Sequence, residues 1–127
     1  MYTNILVPTD GGPLSRKATR AAAQLAKSMK ARVTSVHVTP PFRIVAADFY
    51  MPPELLSQAD HDAAMGKSAA KVLAQSEKLC KEAGVPWEGM HVSDDEPYEA
   101  IIASAKRKRC DLILMASHGW RGISAGG

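Results

Sequence analysis

A chain of 127 residues is the size of one domain and long enough to bury a single hydrophobic core. Apolar residues make up 46% of it and charged residues 23%, which excludes wholesale disorder, and no window approaches the roughly 18 uninterrupted apolar residues of a membrane span. The formal charge of +3 raises the question of nucleic acid, but the densest basic run, KRKR at 106–109, falls where a helix is expected to end, and no aromatic residue interleaves with it to make a stacking surface.

TNILVPTD is an apolar burst ended by Pro8, too short for a helix and bounded like a buried strand. From Leu14 the period changes. Leu14, Ala18, Ala22, Leu25 and Met29 recur at steps of three and four, with Arg16, Lys17, Arg20, Lys27 and Lys30 on the other side, so an amphipathic helix buried on the first set is expected. RVTSVHV then gives a second strand, reaching about Val38. TPPFRIVAADFYMPP carries a proline pair at each end and reads as a long loop or lid over 39–53, its Phe42, Ile44 and Phe49 either covering a ligand or packing on the body or a second subunit. Helical spacing resumes at Met65, Ala69, Val72, Ser76, Leu79 and Ala83, and Gly84 stands where a helix-ending glycine belongs. VPWEGMHV is a strand with Gly89 and bulky Trp87 inside it, which an edge position tolerates. The acids at 94–96 and Pro97 then mark the start of a helix with Tyr98, Ile101, Ile102 and Ala105 on its buried face. DLILMA closes the series as an apolar strand expected to be covered on both faces.

Strands alternating with helices in this way predict an α/β fold: a doubly wound parallel sheet with helices on both sides and right-handed crossovers. Ligands of such sheets settle outside the carboxyl ends of the strands, where the winding reverses. Three of those ends carry distinctive words, VPTDGG, HVTPP and MASHGWRG, and the first and last would flank one crevice if their strands are neighbours.

These words together, NILVPTDG, the HV that ends the second strand, DEPYEAII and DLILMASHG, resemble the universal stress protein family across essentially the whole chain. The resemblance implies a sheet of five strands in the order 3-2-1-4-5, a homodimer, a role in the stress response and, in one branch of the family, bound ATP, with magnesium where the phosphates are metal-bound. It implies that Pro8, Thr9 and Asp10 border the adenosine, with Asp10 facing the ribose or a metal-bound phosphate. Val38 would offer backbone groups to the adenine, and Met115 and Ala116 would floor the base and sugar, Ala116 standing where ATP-binding relatives commonly have glycine. Gly119, Trp120, Arg121 and Gly122 would wrap the phosphates, with Arg121 as the cation. The family's phosphate loop runs glycine, two residues, glycine, nine residues, glycine, serine or threonine. Gly119 and Gly122 match its first half, while the third glycine would fall beyond Gly127, and Gly126 and Gly127 come too early to replace it. By this comparison residues 1–127 are one domain truncated at its carboxyl end, without the fifth strand, and the strand DLILMA is left at an open edge that invites self-association.

Alternatives stand beside each assignment. Asp10 before Gly11 and Gly12 is also an ordinary turn. Ser117 and His118 lack an acid to make a catalytic pair, and His37, His61 and His91 have no metal-ligand spacing, so neither catalytic residues nor a metal site is expected. MYTNILVPTDGG lacks the basic flank and long apolar run of an export signal, and Cys80 and Cys110 lie in no metal-binding pattern, so a cytoplasmic protein with reduced thiols is expected. Three functions remain open: an adenine-nucleotide-binding sensor or interaction module, a dimerisation scaffold of the same family without nucleotide, and a slow ATPase in which only Asp10 offers a catalytic group.

Overall fold

The computed structural model describes residues 3–42 and 57–116. The elements follow in the order β1 (Asn4–Pro8), α1 (Pro13–Met29), β2 (Arg32–Thr39), α2 (Gln58–Glu82), β3 (Trp87–Ser93), α3 (Pro97–Arg107) and β4 (Leu112–Ile113). The strands form one parallel sheet in the order β3-β2-β1-β4. This is the doubly wound architecture that the alternation of periods implies. The Gly89- and Trp87-bearing strand β3 takes the edge.

β1 is the centre. Its Ile5, Leu6 and Val7 are fully buried, and burial of each such side chain contributes roughly 1.5–3 kcal/mol relative to exposure. Ile5 and Val7 join Val33, Cys80 and the alanines of α1 in a core on the α1 and α2 side, whereas Leu6 joins Val36, Ile101 and Ala105 on the α3 side. Burial in that core raises the Cys80 thiol to about 11, so it stays protonated and packs as an apolar group. Its helices are ended by local chemistry. Pro13 opens α1 with a φ preset for the helix, and Ser57 caps α2 by accepting the Asp60 amide at 3.0 Å. Gly84 follows α2 at φ +74, the left-handed conformation that a glycine adopts without steric penalty.

Several faces differ from their sequence expectation. On α1 the buried set is Ser15, Ala18, Thr19, Ala22, Ala23 and Ala26; of the expected stripe, Ala18 and Ala22 are in it, Leu25 and Met29 are half-buried against the core, and Leu14 is 42% exposed. In the first turn Ser15 takes the inward place of Leu14, its hydroxyl bonded to Asp10 Oδ1, and the alanine run at 21–23 widens the buried face without a contrast of size to mark it. On α3 the inward residues are Ala100, Ile101, Ser104 and Ala105, with Tyr98 61% and Ile102 50% exposed. Small side chains at three of those four positions let the helix sit close to the sheet, and the bulkier two are left on its flank. Helix α2 begins at Gln58, seven residues before the apolar period becomes visible at Met65.

The last strand also departs from expectation. Only Leu112 and Ile113 are paired, and Ile113 is 39% exposed rather than covered on both sides. The side chains still alternate: Leu112, Leu114 and Ala116 pack on the α1 and α2 side and Met115 on the other. Helix α3 packs chiefly on β2, with Ile101 and Ala105 against Leu6 and Val36, and Ile113 is not among the residues of that cluster. The expected lid lies largely outside the described residues; of its apolar members, Phe42 makes an edge contact with His61, and Ile44 and Phe49 are not among the described residues.

The basic run has structural work at the opposite end of the sheet from the loops. Lys106 and Arg107 occupy the last turn of α3, and Lys108 together with Arg32 pairs Glu88, the Arg32 bond measuring 2.6 Å. The hydrogen bond from Lys108 is the main reason that the Glu88 carboxyl titrates below its ordinary range. Nearby, Asp111 clamps the start of β1. Its carboxylate accepts the amides of Asn4 at 3.0 Å and Thr3 at 2.9 Å, and these bonds hold its titration below the usual carboxylate range. A depressed carboxyl stabilises the fold above its unfolded-state pKa of about 3.9 and loses that contribution as pH falls through the folded-state value. Asp111→Asn is therefore expected to lower the melting temperature at pH 7, with the gap to the parent protein closing below about pH 4 in a thermal series across pH.

Candidate functional site

At the carboxyl end of the sheet the described residues enclose a cavity of about 210 Å³. Pro8, Thr9 and Asp10 reach it from the end of β1, and Met115 and Ala116 from just beyond β4. Val36, His37 and Val38 line it from β2. Two helix starts complete it: Leu14 and Ser15 of α1, Pro97 and Ile101 of α3. β1 pairs with β2 on one side and β4 on the other, so this is the point where the winding reverses.

The structure thus brings six of the residues singled out in the sequence, Pro8, Thr9, Asp10, Val38, Met115 and Ala116, to one cavity. Gly119, Trp120, Arg121 and Gly122 lie outside the described residues, as do Ser117 and His118. Leu14, Pro97 and Ile101 were read only as helix or core residues, and Ser15 was not singled out. The signal that could have found them is geometric: in a right-handed β-α-β unit each helix begins beside the carboxyl end of the strand it follows, so first-turn residues border the crevice.

The wall formed by β1 is tied by its own short hydrogen bonds. The Thr9 amide donates to the Val36 carbonyl at 2.9 Å, extending the ladder one residue beyond β1. Asp10 Oδ1 accepts the Ser15 hydroxyl at 2.6 Å and the Gly12 amide at 2.8 Å, while the Asp10 amide donates to Ser15 Oγ at 3.2 Å. This is the Asx-type turn that the words TDGG permit, and it orders the entry to α1. Gly11 has φ +82, and a Cβ there would stand 3.1 Å from Val72 Cγ2 of α2. Its carbonyl accepts Arg16 Nη1 at 2.8 Å.

Three histidines stand at this end. His37 Nδ1 lies 2.7 Å from the Thr9 carbonyl, His91 Nε2 2.8 Å from Thr39 Oγ1, and His61 Nε2 3.0 Å from the Pro40 carbonyl. Burial, followed by the charge of His37, holds His91 below its ordinary titration range. Among the described residues no three His, Cys, Asp or Glu side chains gather in a way that could hold a metal ion.

A parallel sheet of this strand order, with an enclosed space at its switch point, defines a doubly wound α/β protein with the ligand geometry of that class. The model of the Universal stress protein family matches residues 1–126, and the chain belongs to that family. It is similar to Universal stress protein YxiE of Bacillus subtilis, at 28% identity over 127 residues that cover 97% of this chain and 84% of the relative. Among solved structures it is similar to a universal stress protein family member from Burkholderia pseudomallei, with TM-score 0.77 and 25% identity over 92% of this chain and 83% of that one. The fold is shared with an Arabidopsis thaliana family protein described with AMP bound, at TM-score 0.68 and 20% identity over 97% of this chain and 82% of that one. It is shared too with the Archaeoglobus fulgidus protein in complex with dAMP, at TM-score 0.66 and 19% identity over 90% and 80%, and with a family member in complex with cAMP, at TM-score 0.61 and 22% identity over 88% and 70%.

The glycine turn gives a test that needs no ligand. Gly84→Ala places a side chain in open space at φ +74 and is expected to cost about 1 kcal/mol, the left-handed penalty alone. Gly11→Ala carries the same penalty and also crowds Val72, so urea unfolding should show it to be the more destabilising of the two, by a further 0.5 kcal/mol or so.

Proposed function

We propose that this protein is an adenine-nucleotide-binding member of the stress response, with the cavity at the switch point as its site. The observation that carries the reading is the convergence of Pro8–Asp10 with Met115 and Ala116 across one cavity, a consequence of β1 and β4 being neighbours. Val36, Val38, Pro97, Ile101 and Met115 give it the apolar lining that a purine ring needs, and Thr9 and Asp10 supply polar groups for orientation. AMP, dAMP and cAMP in relatives of the same fold support the ligand class.

The enclosed volume is below the roughly 300 Å³ at which ligand pockets usually begin. The nucleoside is assigned to this space, and by the family resemblance Gly119, Arg121 and Gly122 would take the phosphates. ATP is the finer assignment. Asp10 is the carboxylate among the described lining residues, and one carboxylate together with phosphate oxygens is a usual way of holding magnesium. Ligand binding would change the surface presented to partners, in the manner of a cytoplasmic, homodimeric sensor. Rapid turnover is not part of this reading, since among the described lining residues Asp10 is the one acid that a hydrolytic reaction could use.

A second reading, a scaffold that takes no nucleotide, draws on the turn at Asp10. That carboxylate already serves Gly12 and Ser15, so its presence does not by itself require a ligand.

Mass spectrometry of ligand released from the purified protein, followed by calorimetric titration with AMP and ATP, separates the two. Co-purified adenine nucleotide, or saturable binding of either one, is expected. A ligand-free protein that gives no heat with both would establish the scaffold reading.

A further inference from the structure

We infer that His37 is a positioning residue for the cavity: the hydrogen on its Nδ1 holds the Thr9 carbonyl and, through it, sets the wall formed by Pro8, Thr9 and Asp10. The inference deepens the reading of the cavity as a nucleotide site and rests on it for its functional consequence.

Strand β2 sends alternate side chains to opposite faces. Val36 and Val38 pack on the α3 side, so His37 between them projects from the other face, where His91 of β3 is its in-register neighbour. From there His37 Nδ1 comes within 2.7 Å of the Thr9 carbonyl. A carbonyl oxygen can only accept, so this contact requires the hydrogen on Nδ1, in the neutral ring and the charged one alike. The His91 ring, 6.3 Å away between centroids and itself 2.8 Å from Thr39 Oγ1, stands beside the imidazole.

Thr9 is thereby held on three atoms. Its amide donates to Val36 at 2.9 Å, its hydroxyl accepts the Gly11 amide at 3.3 Å, and its carbonyl accepts from His37. β1 ends at Pro8, so beyond it the regular ladder no longer fixes the peptide plane between Thr9 and Asp10. His37 fixes that plane at its carbonyl, and Ser15 Oγ holds it at the Asp10 amide, 3.2 Å away. The Asp10 side chain leaves the backbone from this plane and is held in turn by Ser15 and Gly12.

The substitutions that test this separate donor position from simple packing. In His37→Asn the side-chain amide nitrogen occupies nearly the place of Nδ1 and can still donate. His37→Gln moves the donor one bond outward, and His37→Leu removes it. Calorimetric titration with AMP is expected to give His37→Asn an affinity within about twofold of the parent protein, with His37→Gln and His37→Leu weakened about fivefold, the loss of one ordinary net hydrogen bond. Long-range proton–nitrogen correlation spectra of the ligand-free protein should show the neutral His37 ring protonated on Nδ1. The Thr9 and Asp10 amide resonances should be undisturbed in His37→Asn and displaced in His37→Gln.

A neutral ring protonated on Nε2 would overturn the inference, and so would Thr9 and Asp10 resonances that respond equally to the Asn and Gln changes. If the parent protein binds no AMP, the nucleotide reading fails, and the ring tautomer with the two resonances still decides the role of His37. If His37→Leu does not fold, the Asn and Gln pair decides it.

Discussion

The parallel pairing of β1 on both of its edges is the constraint from which the other features follow. Ile5 is level with Val33 on one side and Leu112 on the other, and Leu6 with Thr34 and Ile113. Because one strand serves two neighbours, a one-residue slip would move Ile5, Leu6 and Val7 to the wrong faces of both halves of the core at once. Asp111 fixes the register at the amino end through the Thr3 and Asn4 amides, and Asn4 Nδ2 donates to the Lys108 carbonyl at 3.0 Å. With that end pinned, the ends of β1, β2 and β4 arrive together at the other, and the chain leaves β1 toward β2 on one side and returns from β3 to β4 on the other, which opens the space between them.

The order and type of the elements were legible because each is marked by a change of hydrophobic period, and the crevice was legible because the winding of such sheets is constrained. Helix faces were harder. Around Ala21, Ala22 and Ala23 every side chain is the same size, so a pattern of hydrophobicity cannot distinguish the stripe through Ser15 from the one through Leu14. What decides it is the hydroxyl of Ser15, a tertiary need invisible to a periodicity argument. On α3 the close approach to the sheet favours Ala100 and Ser104 over the larger Tyr98 and Ile102, a choice that depends on helix–sheet distance and not on polarity. The six cavity residues came from family resemblance joined to strand-end logic; Pro97 and Ile101 escaped both, because nothing in the local sequence separates a helix start that borders a crevice from one that does not.

The TDGG segment shows why structural and functional readings of one motif need not compete. Asp10 closes a turn with Gly12 and Ser15, Gly11 adopts a conformation costly for other residues, and the result is a wall whose polar atoms are already placed before any ligand arrives. Preorganisation of this kind lowers the ordering entropy that binding would otherwise cost. The turn is also tied from a different strand, where the carbonyl of buried Thr9 finds in His37 the partner that a buried backbone group requires.

Charge at the two helix starts gives the cavity a direction. α1 enters with Gly12 and Pro13 and carries no acid in its first turn, and the Asp10 carboxylate, bonded to the Gly12 amide and the Ser15 hydroxyl, is the charge that meets the positive end of its dipole. α3 carries several: Asp94, Asp95 and Glu96 precede it and Glu99 lies in its first turn. Their mutual repulsion is large enough to be felt on Glu96, whose carboxyl is pushed above its ordinary range by the hydrogen bond to Glu99, by the Glu99 charge and by the neighbouring acids. Half a unit of dipole charge does not offset that many carboxylates. An anionic group in this cavity therefore meets carboxylate charge at both helix starts and most of it at α3, whereas a neutral ring meets no such penalty beside Pro97, Ile101 and Val38. These fields are exposed and fall away with salt over about 8–10 Å, so they act on a molecule within the cavity more than on its approach from a distance. The two strand ends that make the cavity thus also give it two unlike sides, one with a single carboxylate already bonded into its turn and one with a crowd of exposed acids.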